Sequence, residues 1–193
     1  AITQNIYYLI ISGEELIKIK EVIDEHYPFI YTIGFSDTMY SVEIATAFLN
    51  SQQNDTTDYI SNNFNEKKHI PELLSKGLII PCVMYYILKQ KTMYYAGQSE
   101  EAILYGKEAE KHIESHLGLI TVEEHYLYYG LSLIDVASRQ HNLSTNNAKM
   151  IRKCIKLYKK WSDQNKNNYK AKYLLLKGSF HEYNNQTKKA IEC

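Results

Sequence analysis

Proline and glycine are scarce in this chain, three and eight among 193 residues. A β-sandwich or barrel needs a turn every ten residues or so, and such turns are built largely from those two residues. Their scarcity argues against both folds. Charge of one sign is not in excess either: 22 basic residues face 22 acidic ones, for a formal net charge of zero. Bulk nucleic-acid binding draws on surplus Lys and Arg to neutralise phosphates, so no nucleic-acid partner is expected. No apolar run approaches the roughly 18 residues that cross a bilayer, so no membrane span is expected.

Cysteine is sparse too. Cys82, Cys154 and Cys193 are odd in number, far apart, and form no CxxC pair. They read as the reduced thiols of a cytoplasmic protein, with Cys82 and Cys154 buried as small hydrophobes. The glycines form no phosphate-binding loop, and HExxH, GxSxG and HRD are all missing. Nucleotide binding, kinase activity and cofactor use are therefore not expected of this chain. It shows no leader signature and does not begin with Met, and its last residues, QTKKAIEC, read as an interrupted helix. The expectation is a fragment of a longer protein.

What is present is helical periodicity. Apolar residues make up 45% of the chain, enough for a substantial core. A first helix is expected over 2–11, ended by Ser12-Gly13, and a second over 14–27, stopped by Pro28. Ser36 or Asp37 caps a third, on which Tyr40, Ile44, Ala47 and Phe48 share a face. The Asn-, Gln-, Thr- and Ser-rich stretch 51–65 reads as a long loop, and 69–76 as a short helix with Pro71 in its first turn. Pro81 opens a helix to about Ala96, and its partner runs over 99–117 to Gly118. Thr121 with Glu124 fits a capping box for the next helix. Beyond the polar stretch 141–147, Ala148, Ile151, Cys154, Ile155, Tyr158 and Trp161 make one apolar stripe. A turn at 165–168 and a helix over 169–183 follow, then a turn at 184–186 and a last helix.

The segment 94–109, YYAGQSEEAILYGKEA, reads as the turn and second helix of a tetratricopeptide-like hairpin. Gly97 marks the turn, and Ala102 and Ala109 lie seven residues apart, where small side chains let helices approach closely. This register puts Tyr86 in the aromatic slot of the preceding helix. Setting Ala190 at the same small position puts Leu174 in that slot and Gly178 at the small position of its partner helix. Ala102 and Ala190 are 88 residues apart, not a multiple of the usual repeat of about 34, so the members are irregular.

The expected fold is all-α, with antiparallel tetratricopeptide-like hairpins stacked in a right-handed superhelix. N-terminal hairpins would occupy 1–50, an irregular connection 51–77, and the clearer hairpins 78–193. An ordinary helical bundle, with Ala and Gly at close contacts, is the alternative.

Over 85–183 the chain resembles the helical region of large bacterial signalling proteins. The matching residues are Gly97, Glu100, Glu101 and Ala102, then Glu124, His125, Tyr126, Tyr128 and Tyr129. Lys160, Trp161, Asn168, Tyr169, Lys172, Tyr173, Leu174 and Leu175 complete the pattern, with Leu127 and Tyr169 as mild departures from it. In that family a serine/threonine kinase domain and a predicted ATPase precede this region, and sensor domains with a histidine kinase often follow. The resemblance implies a module that links a nucleotide-driven switch to its output.

Several groups have the residue types and spacing for chemistry. His112 and His116, at i and i+4, could hold a divalent ion with Glu108; the ordinary reading is two solvent-facing histidines near a helix end. Glu124 and His125 are adjacent, but neighbours on a helix diverge by about 100°, so His125 reads as an interior histidine bonded to another helix. Lys149, Arg152, Lys153, Lys156, Lys159 and Lys160 form a basic stripe that suits an acidic surface, an anionic headgroup or a phosphorylated segment. An amphipathic helix presents such a stripe to water by default.

In tetratricopeptide grooves that clamp a carboxylate, Lys and Asn fill slots that here hold Ile87, Lys91, Leu175 and Ser179. A carboxylate clamp is therefore not expected. Lys91, Tyr94, Lys149, Arg152, Lys153, Lys156 and Lys160 are the candidate partner-binding residues. Gly97, Ala102, Ala109, His125, Tyr129, Trp161, Gly178 and Ala190 are the candidate packing residues.

The leading expectation is a non-catalytic protein-interaction and signal-relay scaffold within a signalling ATPase or kinase. A free-standing adaptor for a partner peptide or domain is the second reading. The third is an all-α enzyme or metal-binding bundle, in which His112, His116 or His125 converges with carboxylates in a pocket.

Overall fold

The computed structural model describes residues 2–193. In chain order the helices are α1 (Ile2–Ser12), α2 (Leu16–Ile33), α3 (Ser36–Gln53), α4 (Glu66–Ser75) and α5 (Ile79–Tyr95). Then come α6 (Ser99–Glu110), a 3₁₀ turn (Ile113–His116), α7 (Thr121–Gln140), α8 (Thr145–Gln164), α9 (Lys166–Tyr183) and α10 (Thr187–Ile191). Among the described residues the only β pairing is an isolated bridge between Ile60 and Asn65. The fold is all-α.

Several boundaries differ from the sequence reading, each for a local reason. Pro28 does not stop α2, which runs on to Ile33 and ends at Gly34, whose left-handed backbone lets its N–H bond Ile30 O. Ile30 is buried and holds that last turn against the core. Pro71 stands in the middle of α4, because α4 starts earlier, at the Asn65 cap, whose side chain accepts from the Lys67 N–H. The loop is shorter than the polar composition suggested, 54–65, and it is anchored by the buried rings of Tyr59 and Phe64.

The expected helix over 99–117 ends at Glu110, and a 3₁₀ turn follows. Its three-residue period turns Ile113 and His116 to the same side, and both are buried. No capping box forms at α7: Thr121 Oγ1 is buried without a partner, while Glu124 is drawn into ion pairs with Lys91 and Lys172. The turn expected at 165–168 shrinks to Asn165 alone, whose side chain accepts from the Asn168 N–H.

The helices pack as a row with a partial second layer. α1 lies on α3, α3 on α5, α5 on α7 and α7 on α9. Each of α2, α6 and α8 packs on the row members before and after it, whereas α4 covers α5 and α10 covers α9. α1 also reaches α7, so the row bends back on itself. One continuous core runs from Ile6 in α1 to Leu176 in α9.

Small residues set the helix spacing. Ala102, Ala148 and Ala190 are each the fourth residue of their helices α6, α8 and α10. Ala102 is fully buried and Ala148 nearly so. A methyl on Gly178 would lie 3.3 Å from Cys193 Cβ and 3.6 Å from Ala190 O, so α9 and α10 approach closely there.

The tightest approaches are elsewhere, at Gly106 and Gly130. A Cβ on Gly106 would sit 2.8 Å from both Gln90 Nε2 and Tyr129 Cδ2, and one on Gly130 would sit 2.7 Å from Leu176 Cδ2. Helix propensity alone predicts that Gly106→Ala stabilises α6 by about 1 kcal/mol. Displacing the buried Tyr129 ring outweighs that gain, because overpacking a close-packed core costs about 1–3 kcal/mol. Urea unfolding of Gly106→Ala is therefore expected to show a net loss of about 1 kcal/mol.

Candidate interaction surface

Two surfaces stand out from the core: a cleft across the helix row and the outer face of α8. Tyr94 of α5, Leu131, Ile134 and Asp135 of α7, and Ser179 and Tyr183 of α9 line a cleft of about 480 Å³. Tyr94 is half-buried there, with its ring against Tyr95 and Tyr128. Lys91, one turn away, is taken up inside the fold. Its Nζ lies 2.9 Å from Glu124 Oε2, while Lys172 Nζ of α9 lies 3.0 Å from Glu124 Oε1. One buried glutamate in the first turn of α7 thus ties α5, α7 and α9 together. Of the remaining clamp slots, Ile87 is buried, Leu175 is exposed, and Ser179 lines the cleft.

On α8, Ser144 caps the helix by accepting from the Asn147 N–H, and Ala148, Ile151, Cys154 and Tyr158 turn inward. Trp161 is half-buried, edge-on to Tyr158 with ring centroids 5.0 Å apart. Burial pushes the Cys154 thiol up to about 12 and Cys82 to about 11, so both stay protonated at neutral pH. The opposite face exposes Lys149, Arg152, Lys156, Lys159 and Lys160, none within ion-pair distance of a carboxylate among the described residues. Lys149, Met150, Arg152 and Lys156 border a shallow trough of about 660 Å³. Lys153 differs from the rest of the stripe: its Nζ contacts Glu110 Oε1 and lies 4.9 Å from the centroid of the Tyr126 ring.

The histidines do not converge. His125 has no accessible surface; its Nδ1 lies 3.1 Å from Gln90 Oε1 and its Nε2 lies 2.9 Å from Glu110 Oε2. Its carboxylate partner comes from α6 and not from the adjacent Glu124. Burial pushes the Glu110 carboxyl up, yet its bonds to His125 and Lys153 hold it below the usual range. Burial keeps His125 itself below the ordinary histidine value, against the pull of Glu110.

His116 is also buried, with Nδ1 2.9 Å from Ser115 Oγ, whereas His112 is exposed. The break after Glu110 removes the i, i+4 geometry that a shared ion would need, and Glu108 is bonded to Lys111. Among the described residues no group of three or more His, Cys, Asp or Glu is arranged to hold a metal.

Sequence reasoning passed over Lys89, Gln90 and Glu66. Lys89 is almost fully buried, its Nζ 2.8 and 2.6 Å from the two Glu66 oxygens, and Tyr85 OH donates to Glu66 at 2.8 Å. A signal was present: Lys89 falls four residues after Tyr85 and four before Met93, on an otherwise apolar helix face.

Comparison with family models, curated proteins and solved structures gave no match in any of the three. Among the described residues no helix is long and apolar enough to cross a membrane.

Proposed function

We propose that the chain is a non-catalytic interaction and signal-relay scaffold. It is a right-handed superhelix of tetratricopeptide-like hairpins in the cytoplasm, part of a large multidomain signalling kinase or ATPase. The observation that carries this reading is the helix row α1, α3, α5, α7, α9 with its cleft across three members. In stacked-hairpin proteins each unit buries its apolar face on the next, and the row offers an extended surface to another protein. The recurrence of Ala102, Ala148 and Ala190 at one place in α6, α8 and α10 supports the repeat register. These alanines are 46 and 42 residues apart, which makes the members longer than the usual repeat of about 34.

The relay is mechanical. A partner or neighbouring domain seated across α5, α7 and α9 engages three consecutive hairpins at once. A change in the angle between them alters the cleft, and Glu124, bonded to α5 and α9 from α7, couples the three. The unpaired cations of α8 supply a second contact face for an acidic protein surface.

The size of the native polypeptide tests this. An antibody raised against the chain is expected to detect, in lysate of the source cells, a band several times larger than 22.5 kDa. A band near 22.5 kDa overturns the relay and leaves a stand-alone adaptor.

A further inference from the structure

Three glutamates are deeply buried among the described residues: Glu43, Glu66 and Glu124. Glu66 is neutralised by Lys89, and Glu124 by Lys91 and Lys172. Glu43, 3% exposed, has no cation within ion-pair distance among the described residues. Its bonds all come from neutral donors. Tyr27 OH and Tyr31 OH donate to Oε1 at 2.5 and 2.6 Å, and Asn63 Nδ2 donates to the same oxygen at 3.2 Å. Oε2 receives only Ser61 Oγ, at 3.1 Å.

Glu43 also faces space. With Tyr27, Thr46, Asn50, Ser61 and Asn63 it lines a cleft of about 500 Å³ between α2, α3 and the 54–65 loop. That is within the size range of small-molecule sites. The one lysine on the cleft wall, Lys20, is bonded to Asp24. A buried carboxylate without a counter-charge is costly, and proteins pair such groups.

We propose that this cleft binds a primary alkylammonium group, which supplies the positive charge Glu43 lacks. The chain builds the same chemistry twice with its own lysines. Lys89 meets Glu66 with its Nζ 4.8 Å from the Tyr59 ring centroid, and Lys91 meets Glu124 with its Nζ 5.6 Å from the Tyr128 centroid. At Glu43 an aromatic ring is already in place: Tyr27 lines the cleft, and its ring stacks on that of Tyr31 with centroids 4.5 Å apart.

Ammonium fits better than guanidinium. A bidentate guanidinium needs both carboxylate oxygens, and Oε1 already has three donors. Oε2 has one donor and keeps a lone-pair direction for a single-point N–H. Both phenols are pushed above their ordinary range, by burial first and by the bond to Glu43 next, so they remain donors at neutral pH. The site is separate from the α5–α7–α9 cleft, and the failure of either proposal leaves the other intact.

Titration of the full chain with 1,5-diaminopentane, n-butylamine, an N-acetylated lysine peptide and n-butylguanidine tests it, by calorimetry and by the ring-proton shifts of Tyr27 and Tyr31. Saturable one-to-one binding of the amines is expected, at least tenfold tighter than the guanidine. Glu43→Gln is expected to weaken amine binding at least tenfold, and Lys107→Gln, on the exposed face of α6, to leave it within about threefold. Tighter binding of a free amine identifies a small-molecule ligand, and tighter binding of the peptide identifies a partner's lysine. No saturable binding, equal binding of the guanidine, or unchanged binding by Glu43→Gln overturns the proposal. Should Glu43→Gln fail to fold, the tyrosine shifts of the unmodified chain decide: movement with the amines supports the site, and none overturns it.

Discussion

Replacing Lys89 by methionine is expected to lower folding stability by about 3–5 kcal/mol, the largest loss foreseen for a single polar residue here. Lys89 Nζ contacts both oxygens of Glu66 and the carbonyl of Thr57. Methionine fills most of the space but leaves the Glu66 carboxylate, 7% exposed, with only the Tyr85 hydroxyl as a bonded partner from α5. The cost is that of an abandoned buried charge, not the net worth of the pair. Adding Glu66→Leu should therefore restore at least half of the loss, because removing both charges avoids the penalty. The Thr57 carbonyl also loses its donor, so amide exchange across 54–65 is expected to accelerate in both variants. Urea unfolding and hydrogen exchange read the two effects. A loss below about 1 kcal/mol for Lys89→Met would falsify the claim that this pair holds the loop to α5.

Acid is expected to begin destabilising the fold at about pH 6.5, through its buried histidines. Burial lowers His116 from an ordinary 6.5 to about 4, and burial also lowers His125. The unfolded chain then takes up protons first as pH falls. The contribution of His116 is fully present above about pH 6.5 and is lost progressively as pH drops through about 4. Allowing for solvent near the short 3₁₀ turn, this group accounts for a loss on the order of 2 kcal/mol, and His125 adds in the same direction. Denaturant midpoints measured from pH 7.5 to 4 should fall along this curve. His116→Leu is expected to flatten most of the slope, since an apolar side chain has no charge to desolvate. A flat profile for the unmodified chain would mean that both rings take up protons within the fold as readily as in the unfolded chain.

The legible parts of this molecule were those governed by near neighbours in sequence. The apolar stripe of α8 and the glycine turn at Gly97 are properties of a few consecutive residues, and each appears where its pattern placed it. The interior setting of His125 was legible from the tyrosines around it, and its bonding to neighbouring helices followed. Pro28 departs from its local pattern because its helix penalty is local, whereas the burial of Ile30 beyond it holds the extra turn of α2. The capping box expected at Thr121 fails for a related reason: Glu124 pairs instead with two lysines on helices far away in sequence.

The candidate sites divide along the same line. The α8 cations could be seen as a stripe, but which of them is taken, Lys153 by Glu110, depended on how α6 and α8 lie side by side. Gly106 and Gly130 carried no mark separating them from other helical glycines until the facing rings and methyls were known. Glu43 was invisible as a site, since nothing within its helix predicts a buried carboxylate, two tyrosines from α2 and an asparagine from the loop.

By itself, then, the sequence determined that the chain is all-α, where most helices lie, and which face of α8 turns inward. These follow from hydrogen bonds and side-chain periodicities that span at most four residues. Only the tertiary structure decided which helices form the row, which charges are paired, and which one is left without a counter-charge. Those outcomes depend on groups from a dozen to nearly fifty residues apart being desolvated together, as with Tyr31 and Glu43 or Lys172 and Glu124. Local spacing carries no record of that distance.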